Sequence, residues 1–114
     1  AYAKAQGLFR TSAAADPVLP AKPHQVVLIS FDGDREVSQW QRSRSLAAVT
    51  GARFTYFLSC VNLLTRENRG LYHPPGKKAG SSNVGFAESK SDVAERLAQI
   101  WNARSEGHDI ASHA

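Results

Sequence analysis

Methionine is absent from this 114-residue chain, and cysteine occurs once, at Cys60. A single thiol excludes an intrachain disulfide framework and a multi-cysteine zinc module. Long apolar runs are missing too. Stretches such as Val26 to Ile29 fall far short of the roughly 20 residues a membrane span needs. Basic residues are not clustered: seven of the Lys and Arg lie in residues 1–60 and seven in 61–114, with no block beyond the pair Lys77-Lys78. The formal net charge of +4 therefore reads as a solvated surface, and nucleic acid is not the expected partner. The start, Ala1-Tyr2-Ala3-Lys4, lacks an initiator Met and reads as processed or trimmed.

What is present suits one modest domain or part of a larger one. Hydrophobic residues make up 42% and charged residues 21%, which excludes general disorder. Residues 1–24 are rich in Ala, with Pro17, Pro20 and Pro23, and read as a leader or linker. From residue 25 the pattern changes. Gln25 to Phe31 is a continuous apolar and β-branched run, as in a strand buried on both faces of a parallel sheet. Asp32-Gly33-Asp34 ends it with a turn signal. Glu36 to Thr50 is helical, with Trp40, Leu46, Ala47 and Val49 as inward candidates and Gly51 as the stop. Arg53 to Cys60 reads as a second strand, and Cys60 as a small buried residue. A long connection, about Asn62 to Glu88, follows; loops of this length are often functional.

Ser89 and Ser91 are N-cap candidates for a second helix, with Asp92 and Glu95 favouring its positive end. Val93, Leu97, Ile100 and Trp101 then form its expected apolar face, with Trp101 in the core. Gly107 closes this helix, and His108 to Ser112 reads as a third strand. The alternation predicts an α/β fold with parallel strands.

In such folds functional groups gather at the C-terminal ends of the strands. Ser30-Phe31-Asp32-Gly33-Asp34 and Gly107-His108-Asp109-Ile110-Ala111-Ser112-His113 both fall there. Neighbouring strands would bring Asp32 or Asp34 near His113. A carboxylate and an imidazole together can hold a divalent cation such as zinc, and a second carboxylate could take a proton from metal-bound water. His108, His73, Tyr72 and Trp40 are better read as structural or solvated groups than as site residues.

These two motifs resemble those of the NodB-like polysaccharide deacetylases. That family's first motif is a strand ending in Thr-Phe-Asp-Asp-Gly, and its second is Gly-His-Glu-Ile-Gly-Asn-His. The resemblance covers residues 25–114, the N-terminal part of the catalytic domain. It implies the first β-α-β-α-β portion of a distorted (β/α) barrel, incomplete here. It implies metal-dependent hydrolytic deacetylation of an acetylated polysaccharide, with zinc as the cofactor and a secreted or periplasmic location. Asp32 then corresponds to the family's catalytic base and His113 to its first ligand histidine. The family's metal-binding Asp is replaced by Gly33, so Asp34 takes the metal from one position later, or Asp32 binds it directly. The second ligand histidine is expected at the third position beyond Ala114. The remaining C-terminal part of the domain, in the same polypeptide or as a separate chain, is therefore an expected partner, and residues 1–114 alone are expected to be inactive.

Two other readings compete. A deacetylase-like domain with Gly33 in place of a ligand could bind carbohydrate or a partner without turnover. Asp32-Gly33-Asp34 also resembles the Asp-x-Asp motif of magnesium-dependent haloacid-dehalogenase-like phosphatases, which leaves the Gly107–His113 motif unexplained.

Overall fold

The computed structural model describes residues 22–113; the expected leader over 1–24 lies, up to residue 21, outside the described residues. Three short parallel strands form the sheet: β1 (Ser30–Asp32), β2 (Thr55–Leu58) and β3 (Asp109–Ser112), in the order β1-β2-β3. Helix α1 (Val37–Thr50) joins β1 to β2, and helix α2 (Lys90–Ser105) leads into β3. The α/β expectation and the parallel pairing are both found.

Register decides what each face carries. Ser30 pairs with Thr55 and Thr55 with Asp109; Asp32 pairs with Phe57 and Phe57 with Ala111. Paired residues of parallel strands share a face, and the next residue along points to the other. Phe31, Tyr56 and Ile110 therefore share the opposite face. That face meets both helices: Trp40 and Ala47 of α1 and Ile100 and Ala103 of α2 form one core cluster with Phe54 and Tyr56. Trp40 and Phe31 both stack on Tyr56, at 4.2 and 5.2 Å between ring centres. Each such pair adds about 0.5–1.5 kcal/mol beyond its buried area. Ser43 Oγ donates to the Trp40 carbonyl, so the Tyr56 hydroxyl is the donor in the 2.7 Å bond to Ser43 Oγ.

The first strand is shorter than its apolar run. Val26, Val27 and Leu28 are 65%, 77% and 91% exposed, not buried on two faces. A strand needs a partner, and β2 begins only at Thr55, opposite Ser30; the contact nearest its start is Thr55 N–H to the Ile29 carbonyl. The residues before Ile29 thus have no ladder to join.

The helices also differ from their sequence patterns. In α1 the buried row is Trp40, Ser43 and Ala47, while Leu46 and Val49 face solvent. At about 100° per residue Val49 lies roughly opposite Trp40, so apolarity alone misplaced it. In α2 the buried residues are Arg96, Gln99, Ile100 and Ala103. Leu97 and Trp101 are exposed, and Trp101 packs under the Arg104 guanidinium instead of entering the core. Cys60, expected to be buried, is exposed.

The end signals hold. Gly51 adopts φ 72° and closes α1 by donating its N–H to the Ala47 carbonyl, a conformation that glycine enters without strain. Of the two cap candidates, Ser89 caps α2, its Oγ accepting from Asp92 N–H. Two 3₁₀ turns, Cys60–Leu63 and Arg66–Leu71, order the start of the long connection. A bridge between Thr65 and Ala87 draws its ends together, and Ala87 is fully buried beneath.

Candidate functional site

The site lies where β1 and β3 end. Asp32 closes β1, and His113 follows β3 with its N–H on the Leu58 carbonyl. The expectation that these strands are neighbours is corrected: β2 stands between them. Two strand spacings set the backbones about 10 Å apart. The side chains still converge, because Asp32 and Ala111 share a level and a face and His113 is two residues beyond Ala111, on that same face. His113 Nε2 lies 3.8 Å from Asp32 Oδ2, with the two side chains 43% and 71% exposed.

That gap is too long for a direct hydrogen bond. It is a few tenths of an ångström wider than the roughly 3.3–3.5 Å between a carboxylate oxygen and an imidazole nitrogen on one tetrahedral zinc ion, a difference that a small rotation of two exposed side chains closes. The donor set, one carboxylate and one imidazole, fits zinc chemically. Among the described residues, no group of three or more His, Cys, Asp or Glu side chains converges.

Asp34 has a different environment. It is fully buried. Its Oδ1 accepts from Ser59 N–H at 3.1 Å and from Asn62 Nδ2 at 2.8 Å, and its carbonyl accepts from Trp40 Nε1. Its Oδ2 is buried with no hydrogen-bond partner. The two carboxylates of Asp32-Gly33-Asp34 thus point into solvent and into the fold respectively. Gly33 makes this reversal possible at φ 89°, with its N–H on the Phe57 carbonyl.

Two residues that the sequence did not single out complete the surroundings. Asn62 is 2% exposed and Arg96 7%. The Arg96 guanidinium donates to the carbonyls of both Arg35 and Asn62. Arg96 had a detectable signal, a charged residue in the row Val93, Arg96, Ile100, Ala103 that faces inward. Asn62, in a turn of irregular backbone, had none.

His108, expected to be structural, is buried at the other end of β3. Its Nδ1 accepts from Phe54 N–H at 3.0 Å, and burial holds its pKa below the usual histidine value. Surface concavities among the described residues, one lined by Phe31, Gln39, Arg42 and Leu46 and another by Arg44, Gly51, Arg53 and His108, do not include Asp32 or His113. Comparison with protein-family models, with curated proteins and with solved structures found no match.

Proposed function

We propose that this chain is part of a metal-dependent hydrolase that removes acetyl groups from an acetylated polysaccharide. The observation that carries the reading is the facing of Asp32 and His113 across a 3.8 Å gap at the C-terminal edge of a parallel sheet. The consecutive strand order, with the core residues of both helices on one face, supports taking the fold as the opening portion of a (β/α) barrel.

In this reading His113 Nε2 and Asp32 Oδ2 would hold the cation; the expected metal role of Asp34 is corrected, because its carboxylate is buried and turned into the fold, away from that pair. Zinc, when bound, would polarise the acetyl carbonyl and lower the pKa of a water molecule. Asp32 has two oxygens, so Oδ2 can face the cation while Oδ1 accepts the proton of the attacking water. Exposure of both side chains leaves room for a polymer to approach. Catalytic zinc usually has three protein ligands, so a further donor is needed, supplied by the rest of the domain or by a separate chain. A secreted or periplasmic setting belongs to the same proposal.

The test is acetate release from N- and O-acetylated oligosaccharides by the complete protein, with and without zinc. Zinc-dependent release is expected, and Asp32→Asn should abolish it while leaving the fold intact. Oligosaccharide binding without release would favour the non-catalytic reading. Phosphate release from an aryl phosphate with magnesium, and no acetate, would replace the proposal with the phosphatase.

A further inference from the structure

The polar groups behind the site are paired in an unusual way. Asp34 is a fully buried carboxylate and Arg96 a nearly buried guanidinium, and neither forms an ion pair within 4.0 Å among the described residues. They are joined through Asn62. Its side-chain amide donates to Asp34 Oδ1, and its backbone carbonyl accepts from Arg96. Arg96 also reaches the Arg35 carbonyl, 3.1 Å from its Nε. One side chain on α2 therefore grips the loop after β1 and the turn after β2 together. Asn62 and Ser59, both from that turn, grip Asp34 from the other direction.

Burying a charge without an opposite charge in contact is costly, so this arrangement is not an ordinary core solution. A neutral clasp would have held the loops without it. Arg96 suits the task because its planar fork can hold two carbonyls at fixed angles, which a lysine ammonium cannot do with the same geometry. The loop so held begins at Asp32, and its first hydrogen bond, Gly33 N–H to the Phe57 carbonyl, sets where the Asp32 carboxylate stands.

We propose that Asn62 and Arg96 are positioning residues: through Asp34 and the Arg35 carbonyl they fix the loop that carries Asp32, and so hold its carboxylate at the right distance from His113. This rests on the reading of Asp32 and His113 as the reacting pair. It adds two residues from outside both motifs to that site.

The experiment uses the complete protein that contains this chain, with Arg96→Met, Arg96→Lys and Asn62→Leu. Amide hydrogen exchange is measured first, without metal. In Arg96→Met and Asn62→Leu the Gly33 and Ser59 amides should exchange at least about tenfold faster, as expected of locally opened loops. The His113 amide, bonded to the Leu58 carbonyl on the side of β2 away from the clasped loop, should not change, nor should Tyr56 and Ile110 in the sheet. Arg96→Lys, which keeps the charge but not the fork, should fall between wild type and Arg96→Met.

Titration with zinc alone then reads the consequence. Affinity should drop about 10–100-fold in Arg96→Met and Asn62→Leu, the range for residues that orient a ligand from outside its contacts. Unchanged exchange at Gly33 and Ser59, or equal loss of protection across the whole sheet, overturns the proposal. So does selective loosening with zinc affinity unaltered. A wild-type chain that binds no zinc ends the metal reading only, and the exchange pattern still decides whether Asn62 and Arg96 position Asp32. Should Arg96→Met fail to fold, Arg96→Lys carries the same comparison.

Discussion

Two histidines face carboxylates across nearly equal gaps, 3.8 Å for His113 and Asp32 and 3.9 Å for His108 and Glu106. They lie at opposite ends of β3, and their surroundings are opposite too. The His108 side chain is 1% exposed and His113 43%. His108 has its Nδ1 on the Phe54 amide and its ring stacked parallel to Phe54, 5.5 Å away. Its acid partner is committed elsewhere, since Glu106 takes both oxygens to Arg44 and is held below its ordinary pKa by that guanidinium. Separation alone therefore assigns no role to a histidine and an acid. What distinguishes them is whether the acid is already committed to another partner and whether water can reach the ring.

The largest expected effect breaks the comparison outright. His113→Ala or Asp32→Ala should weaken zinc binding by more than the roughly 10–100-fold typical of changes outside the ligand contacts. Stability should stay within about 0.5 kcal/mol, as for exposed positions. Isothermal titration and urea denaturation of the same samples check both halves. Retained affinity would remove the pair from the site.

His108→Ala should do the reverse. It deletes a buried ring and leaves the Phe54 N–H without its acceptor, so a loss of about 2–4 kcal/mol is expected, with no change in zinc affinity of whatever remains folded. A loss below about 1 kcal/mol would mean the ring is not part of the core.

A smaller effect separates the histidines by pH. Burial depresses the His108 pKa in the folded state, whereas the unfolded chain titrates near the ordinary value of about 6.5. Below that pH the unfolded state binds the proton and the folded state does not. Stability should therefore be complete above pH ~6.5 and fall as pH drops, with a slope of at most about 1.4 kcal/mol per pH unit from this group. His108→Gln should flatten the slope between pH 6.5 and 5, and His113→Gln should leave the His108 part in place. A profile indifferent to His108→Gln would contradict the burial argument.

The smallest effect concerns the acid beside His108. Arg44→Met should cost no more than about 1 kcal/mol, since Arg44 and Glu106 are partly exposed and solvent screens them. The cost should shrink in 1 M salt, where the screening length is only about 3 Å.

Much of the fold was legible because the sequence carries local signals for it. Gly51 and Ser89 mark helix ends through backbone and hydroxyl chemistry that acts within a few residues. Asp32 and His113 were legible as candidates because strand ends are where α/β folds place chemistry. Other features were not legible, for physical reasons. Val26 to Ile29 look like a buried strand, but whether a strand forms depends on a partner, and β2 starts too late to provide one. Trp101 and Leu97 carry the most apolar surface of α2, yet Arg96 and Gln99 hold the inward positions. A helix turns its faces according to what its neighbours offer, and here they offer carbonyls to Arg96 and the Arg44 guanidinium to Gln99.

Composition, spacing and end chemistry by themselves determined a parallel α/β arrangement, the order of its elements and the two motifs that end β1 and β3. These depend on interactions along the chain or on the alternation of side chains in a strand. Only the tertiary structure decided that β2 separates those motifs while Asp32 and His113 still meet, that Asp34 turns inward, and that Asn62 and Arg96 hold the loop between them. Each of these rests on residues distant in sequence coming within hydrogen-bonding or coordination reach, and no local pattern specifies that.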